Sequence, residues 1–219
     1  MEGYGGDLAE AKSLPDLLNA LPEGIFRESL AGSYAVYNNG EPLFFYEAAL
    51  DRDYLKELYA RTAALSGEDK AFAEELAGQE IAAFDLMLAA RGRFFYGYGK
   101  EALLDLFAPG PGMDRRNFIK MLGAGGVGGL RASAGRAVEP GPQEADPSEL
   151  AALAWRRCAR LAGRAFRRSH IGPGAAAAYI ALRRVETANL ISVSEGLRLK
   201  IDPGELSRRL IPREEAAYV

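Results

Sequence analysis

Four long stretches of this chain repeat apolar residues at the 3.6-residue spacing of a helix, and none sustains the two-residue alternation of a half-buried strand. β-branched residues are scarce, and Pro and Gly cluster between the helical stretches. The pattern predicts an all-α fold. The first long helix runs from Phe44 to about Leu65 and stops at Ser66-Gly67. The second, from about Glu68 to Arg91, puts Phe72, Leu76, Ala83, Phe84, Met87 and Leu88 on one face. The third runs from Glu149 to about Ser169 behind the start signal Asp146-Pro147-Ser148. The fourth, from about Ala175 to Leu197, carries Tyr179, Leu182, Val185, Leu190, Val193 and Leu197 on one face. Shorter helices are expected at 14–21, 25–31, 100–107 and 205–210, with a turn at Asn38-Asn39-Gly40 and a stop at Pro212. Asp202 and Pro203 supply the cap and first position of the last helix.

Two carboxylates interrupt the apolar faces. Glu80 falls within the face of the second helix and Glu186 within that of the fourth. A buried charge without a partner is several kcal/mol unfavourable, so each is expected to be paired or protonated. No second acid, histidine or nucleophile stands at helical spacing from Glu80, which favours a structural ion pair over catalysis.

Charge is unevenly placed. Residues 1 to 110 hold 9 basic and 19 acidic side chains, residues 111 to 219 hold 18 and 11, and the whole chain is at -3. That total is too mild to demand a nucleic-acid or anionic-membrane partner, but the split suits self-complementary halves or separate partners for each. On the third helix Leu150, Ala154, Trp155, Cys158, Leu161, Ala162, Ala165 and Phe166 take one side. Arg156, Arg157, Arg160, Arg164, Arg167 and Arg168 take the other, and Arg156, Arg160 and Arg164 are the candidate contacts for an acidic partner surface.

A repeat underlies the pattern. Setting Asp85-Leu86 against Asn189-Leu190 aligns Gly92 with Gly196 and Glu101 with Glu205, and brings Pro109 within one residue of Pro212. Each unit is a long helix, a turn and a short helix, so tandem related helical bundles are expected, an architecture that usually serves binding. Residues 113–147, rich in Gly, Ala and Pro beyond Leu122, read as a mobile linker with one short helix. This divides the chain into subdomain A at 1–112, the linker at 113–147 and subdomain B at 148–219.

Several signals compete. Gly123-Ala-Gly125-Gly-Val-Gly128 spells a dinucleotide fingerprint, but Arg115 to Leu122 before it reads as helix and the stretch after it, with Pro140, Pro142 and Pro147, holds no second strand. NAD binding is therefore the weakest alternative, and no cofactor is expected. Arg115-Arg116-Asn-Phe-Ile-Lys120 resembles an export signal but lies mid-chain. The arginine face raises a nucleic-acid-binding or scaffold reading, opposed by the chain's net acidity and by the lack of interleaved aromatics. Cys158 is the one cysteine, which rules out an internal disulfide or a cysteine metal cluster and fits a reducing, cytoplasmic setting. His170, the one histidine, sits beside a helix end and suits a dipole contact. No run is long enough to span a bilayer, and Met1 to Gly6 has neither basic flank nor apolar block.

The segment from Pro173 to Ile201 reads PGAAAAYIALRRVETANLISVSEGLRLKI, with a Gly/Pro turn, a Tyr-Ile pair, a charged stretch, Asn-Leu and a basic end. It resembles the signature of the C-type subunits of archaeal and bacterial V/A-type ATPases, the d-type subunits of eukaryotes. Similar to that family too are Glu47-Ala-Ala-Leu-Asp-Arg-Asp-Tyr54, Gly78-Gln-Glu-Ile-Ala-Ala-Phe-Asp-Leu86 and Arg93-Phe-Phe-Tyr-Gly97, in family order across most of residues 15 to 212. The resemblance implies part of a three-subdomain, funnel-like helical fold, shortened at its N-terminus. Arg183-Arg184 replaces the usual Lys-Glu pairing, Asp85 stands where Asn is common, and the Gly-rich stretch after Leu122 has no counterpart. It also implies a non-catalytic connector that seats the central stalk on the membrane proteolipid ring, for proton or sodium transport coupled to ATP. Such a connector is peripheral to the membrane through protein contacts and does not bind nucleic acid.

Overall fold

The structure, a computed structural model, describes residues 8–37, 42–111, 113–141, 146–169 and 171–211. His170, the Asn38-Asn39-Gly40 turn, the Met1 to Gly6 start, Pro142 and Pro212 lie outside the described residues. The chain is all-α, with no strand among those residues. Its helices are α1 (Leu14–Ala20), α2 (Ile25–Tyr37), α3 (Leu43–Arg61), α4 (Gly67–Met87), α5 (Lys100–Asp105), α6 (Arg115–Leu122), α7 (Val127–Ser133), α8 (Pro147–Arg168), α9 (Pro173–Arg198) and α10 (Pro203–Arg209). Helix α4 continues without a break into a π-helical stretch, Leu88–Phe95.

Local chemistry sets the starts. Asp146 and Glu149 form a reciprocal capping box on α8: the Glu149 N–H donates to Asp146 Oδ1 at 2.8 Å and the Asp146 N–H to Glu149 Oε2 at 3.2 Å. Asp202 accepts from the N–H groups of Gly204 and Glu205 ahead of α10, and Asp114 from that of Asn117 in α6. Helix α9 is capped from a distant element, for Asp69 of α4 accepts the Gly174 N–H at 2.9 Å and the Ser169 hydroxyl at 3.2 Å. A Cβ at Gly174 would stand 2.5 Å from that carboxylate, so this turn requires glycine.

Helix α4 is the axis of the fold. Its first half packs Phe72 and Leu76 against Cys158, Leu161, Ala162 and Ala165 of α8 and Ala178 and Ala181 of α9. Its second half places Leu86 in a larger core with Phe45 of α3, Leu103 of α5, Phe118 and Met121 of α6, and Leu130 of α7. The single face drawn for it from the sequence is too narrow, because Gln79, Ile81, Ala82, Asp85 and Leu86 are buried as well. A helix covered by neighbours on most sides needs no polar stripe, and periodicity underestimates it.

Four further expectations are corrected. Residues 123–147 are not a mobile spacer throughout: α7 forms within them, and Leu130, Ala134 and Ala137 are buried in the larger core. The fourth long helix does not bury its whole apolar face, since Val185 is buried while Tyr179, Leu190 and Leu197 are exposed. Glu186 is exposed and pairs with Arg183 one turn before it, so it is no buried carboxylate. Phe166, placed on the apolar side of α8, is also exposed.

Candidate functional site

Two helix–turn–helix units carry the same internal clamp. In the first, α4 with its π-helical end turns into α5; in the second, α9 turns into α10. Asp85 Oδ1 accepts the Ala108 N–H at 3.0 Å beyond α5. Its counterpart Asn189 accepts the Ile211 N–H at 2.9 Å beyond α10 and donates its amide to the Ile211 carbonyl at 2.8 Å. Gly92 meets Leu103, and Gly196 meets Leu206: an added Cβ would come within 2.5 Å and 2.7 Å of those side chains. The turn residues match too, for Gly97 has φ +75° and Lys200 has φ +54°. Lys200 closes α9 as a left-handed cap, with the Ile201 N–H on the Gly196 carbonyl at 2.9 Å. The first unit spends one more residue between its Gly and the residue after the turn, where the Tyr96 N–H reaches the Arg91 carbonyl in a π-type bond.

The clamps differ in chemistry. Asp85 is fully buried, and its Oδ2 has no hydrogen-bond partner among the described residues. Burial raises its pKa to about 8, against the lowering effect of the Ala108 N–H. At neutral pH Asp85 is therefore mainly protonated, and a protonated carboxyl offers one acceptor and one donor, as the Asn189 amide does.

The outer surfaces differ more. Leu86 is 0% exposed, while its counterpart Leu190 is 66% exposed. Leu76 is 5% exposed and Ile180, at the same spacing, 59%. Ile191, Leu197 and Leu199 extend this uncovered apolar surface along α9 to its end. No described element of the chain buries it, whereas α6 and α7 help bury the equivalent side of the first unit. Large exposed apolar side chains gathered on one helix, with Thr187, Ser194 and Arg198 exposed among them, make this the chain's candidate interaction face.

The candidate charges occupy different places. Glu80 is largely buried and accepts from Arg184 at 2.6 Å, while the Arg184 guanidinium lies 5.7 Å from the Trp155 ring centre. Arg160 reaches Glu139 at 2.7 Å, Arg164 pairs with Glu75 at 2.5 Å, and Arg156 donates to the Leu210 carbonyl at 3.4 Å. The arginine face of α8 thus spends much of its hydrogen bonding within the chain. Arg157 joins it by donating to Gln79 Oε1 at 3.0 Å, and Gln79 in turn donates to the Ala137 carbonyl at 2.8 Å. Cys158 is buried; burial first and Glu80 second push its pKa up to about 12, with Arg184 pulling the other way, so the thiol stays neutral. The Gly123–Gly128 stretch runs from the end of α6 into the first turn of α7 with no strand before it, which removes the setting a dinucleotide fingerprint needs. Arg115 and Arg116 begin α6, whose Phe118, Met121 and Leu122 are core residues.

Sequence reasoning missed the clamping and capping roles of Asp85, Gln79 and Asp69. The signal for Asp85 was present in its alignment with Asn189, since a position shared by Asp and Asn in two copies of one unit points to a backbone clamp.

These features define an all-helical scaffold: two clamped helix–turn–helix units on a common axis, one of them with its apolar face uncovered. The chain belongs to the ATP synthase (C/AC39) subunit family, whose family model matches residues 6–209, and it is a component of a V/A-type ATPase. No curated protein and no solved structure matches it. No helix among the described residues is long and apolar enough to cross a membrane.

Proposed function

We propose that this chain is the non-catalytic connector that links the central stalk of the ATPase to its membrane proteolipid ring, coupling proton or sodium transport to ATP. It is held at the membrane on the cytoplasmic side through protein contacts. The uncovered apolar face of α9 carries the reading: Leu190, Ile191 and Leu197 stand exposed on a helix whose other side is anchored on α8 and α4, and Leu199 is exposed just past its end. A torque-bearing joint needs stiff elements, and the two clamps, the Asp69 cap on α9 and the Glu80–Arg184 pair all cross-link helices at a distance in sequence. Family membership supports the place in the complex. Arg156, Arg160 and Arg164 remain a secondary, acidic-partner surface in this proposal.

Immobilised full chain is expected to retain purified central-stalk and proteolipid-ring proteins, and Leu190→Glu with Leu197→Glu is expected to release one of them without unfolding the chain. Retention of neither by the unmodified protein would sink the connector. Salt-sensitive binding to generic duplex DNA in its place would favour the nucleic-acid reading.

A further inference from the structure

A cavity of about 240 Å³ opens where α3, α4, α8 and α9 meet. Its floor is apolar, made by Leu55, Phe84, Met87 and Trp155, with the neutral Cys158 thiol beside them. Its rim is charged, with Asp51 and Tyr54 of α3 facing Glu80 of α4 and Arg184 of α9. Arg184 is committed to Glu80 at 2.6 Å and to the face of Trp155. Asp51 has no hydrogen-bond or ion-pair partner among the described residues. Glu47, one helical turn before Asp51, adds negative potential that Arg184 partly offsets, and Asp51 itself is exposed at the cavity mouth; Arg91 lines only the adjoining cleft that Glu47 and Asp51 also border. The open position is therefore an anion above an apolar floor.

We propose that this cavity is a binding site for an alkylammonium group, the aliphatic stem lying on Phe84, Met87 and Trp155 and the ammonium on Asp51. Size narrows the class, because about 240 Å³ falls below the usual range for drug-sized ligands and cofactors. A short free amine and the side chain of a lysine share the required chemistry. An anion is disfavoured by two rim carboxylates against one guanidinium, and a neutral alcohol could give Asp51 a hydrogen bond but no opposite charge. The site is separate from the α9 face and does not depend on the connector reading.

Trp155 lines the cavity and is the chain's one tryptophan, so its selectively excited fluorescence reports occupancy in the full-length protein. Titration with n-butylammonium chloride at constant ionic strength is expected to give a saturable change. n-Butanol, with the same stem and no charge, is expected to bind up to about fivefold more weakly, as the loss of one ion pair at an exposed carboxylate implies. Asp51→Asn, on the rim and outside the core, is expected to weaken the amine to the level of the alcohol. Ala83→Leu, which narrows the cavity while keeping Asp51, is expected to weaken both. A capped pentapeptide with a central lysine separates the sources: tighter binding than butylammonium assigns a partner's lysine, weaker binding a free amine, and both support the site. A linear, non-saturating response shared by amine and alcohol would overturn the proposal, as would undiminished binding to folded Asp51→Asn.

Discussion

The unit built on α4 and the unit built on α9 hold the same clamp, the same glycine-to-leucine approach and the same left-handed turn, yet one is enclosed and the other half bare. Leu86 is shut inside a core to which Phe118, Met121 and Leu130 contribute, while Leu190, the same position one unit later, faces solvent. The clamp belongs to the unit, and burial belongs to its neighbours. The segment 113–141 makes the difference, because α6 and α7 lie beside the first unit and no described segment does the same for the second. The repeat thus keeps what holds a unit together, and the outer face is free to become core in one copy and contact surface in the other.

The sharpest way to break this comparison is to truncate the paired leucines. Leu86→Ala is expected to cost about 2–5 kcal/mol through lost contacts and a residual cavity, whereas Leu190→Ala is expected to stay within about 0.5 kcal/mol. Urea unfolding of the two variants measures both, and equal losses would mean that the units are equally covered.

The glycines test whether the shared clamp is equally rigid. Gly92→Ala drives a Cβ into the fully buried Leu103 and is expected to cost about 1–3 kcal/mol. Gly196→Ala meets Leu206, which is only partly buried and can shift, so its cost is expected to be smaller, offset in part by the roughly 0.5–1 kcal/mol that alanine gains over glycine in a helix. A Leu103→Ala background that rescues Gly92→Ala would confirm the contact as the cause.

The polar ends of the clamps sharpen the contrast through pH. Asp85 has a folded pKa of about 8, above the 3.8 of an ordinary aspartate, so between these values the folded chain holds a proton that the unfolded chain has released. Stability contributed by this group therefore falls as pH rises from about 4 to about 8 and changes no further above that. Asp85→Asn, which copies the second unit, is expected to remove this slope, so its advantage over the unmodified chain is larger at pH 9 than at pH 5. An unchanged slope in chemical denaturation would show that Asp85 is ionised throughout.

The smallest effects belong to the arginine face. Arg160→Ala and Arg164→Ala remove half-exposed pairs with Glu139 and Glu75 and are each expected to cost about 0–1 kcal/mol, less in high salt. Larger, salt-independent losses in thermal unfolding would mean that these pairs hold the two halves together.

Much of this was legible in the chain. Helical period, Pro/Gly punctuation and the caps at Asp146 and Asp202 act within a few residues, so they mark the long helices to within a few positions. The repeat was legible as well, for Asp85 and Asn189 with Gly92 and Gly196 keep their spacing wherever the units end up. Less accessible were the faces of α9, since an apolar residue at helical spacing looks the same whether a neighbour covers it or not. Glu186 was misplaced for that reason, and the Gly-rich stretch because burial of Leu130 depends on α6 and the end of α4 meeting it.

What the sequence determined alone is therefore local and periodic: an all-α chain, its caps and breaks, and a unit used twice. Tertiary structure decided which apolar faces became core, that Asp85 would lose its charge, and that Arg160 and Arg164 would turn to carboxylates of their own chain. Burial and pairing depend on residues far apart in sequence, such as Asp69 with Gly174 or Glu80 with Arg184, and only packing brings such residues within reach.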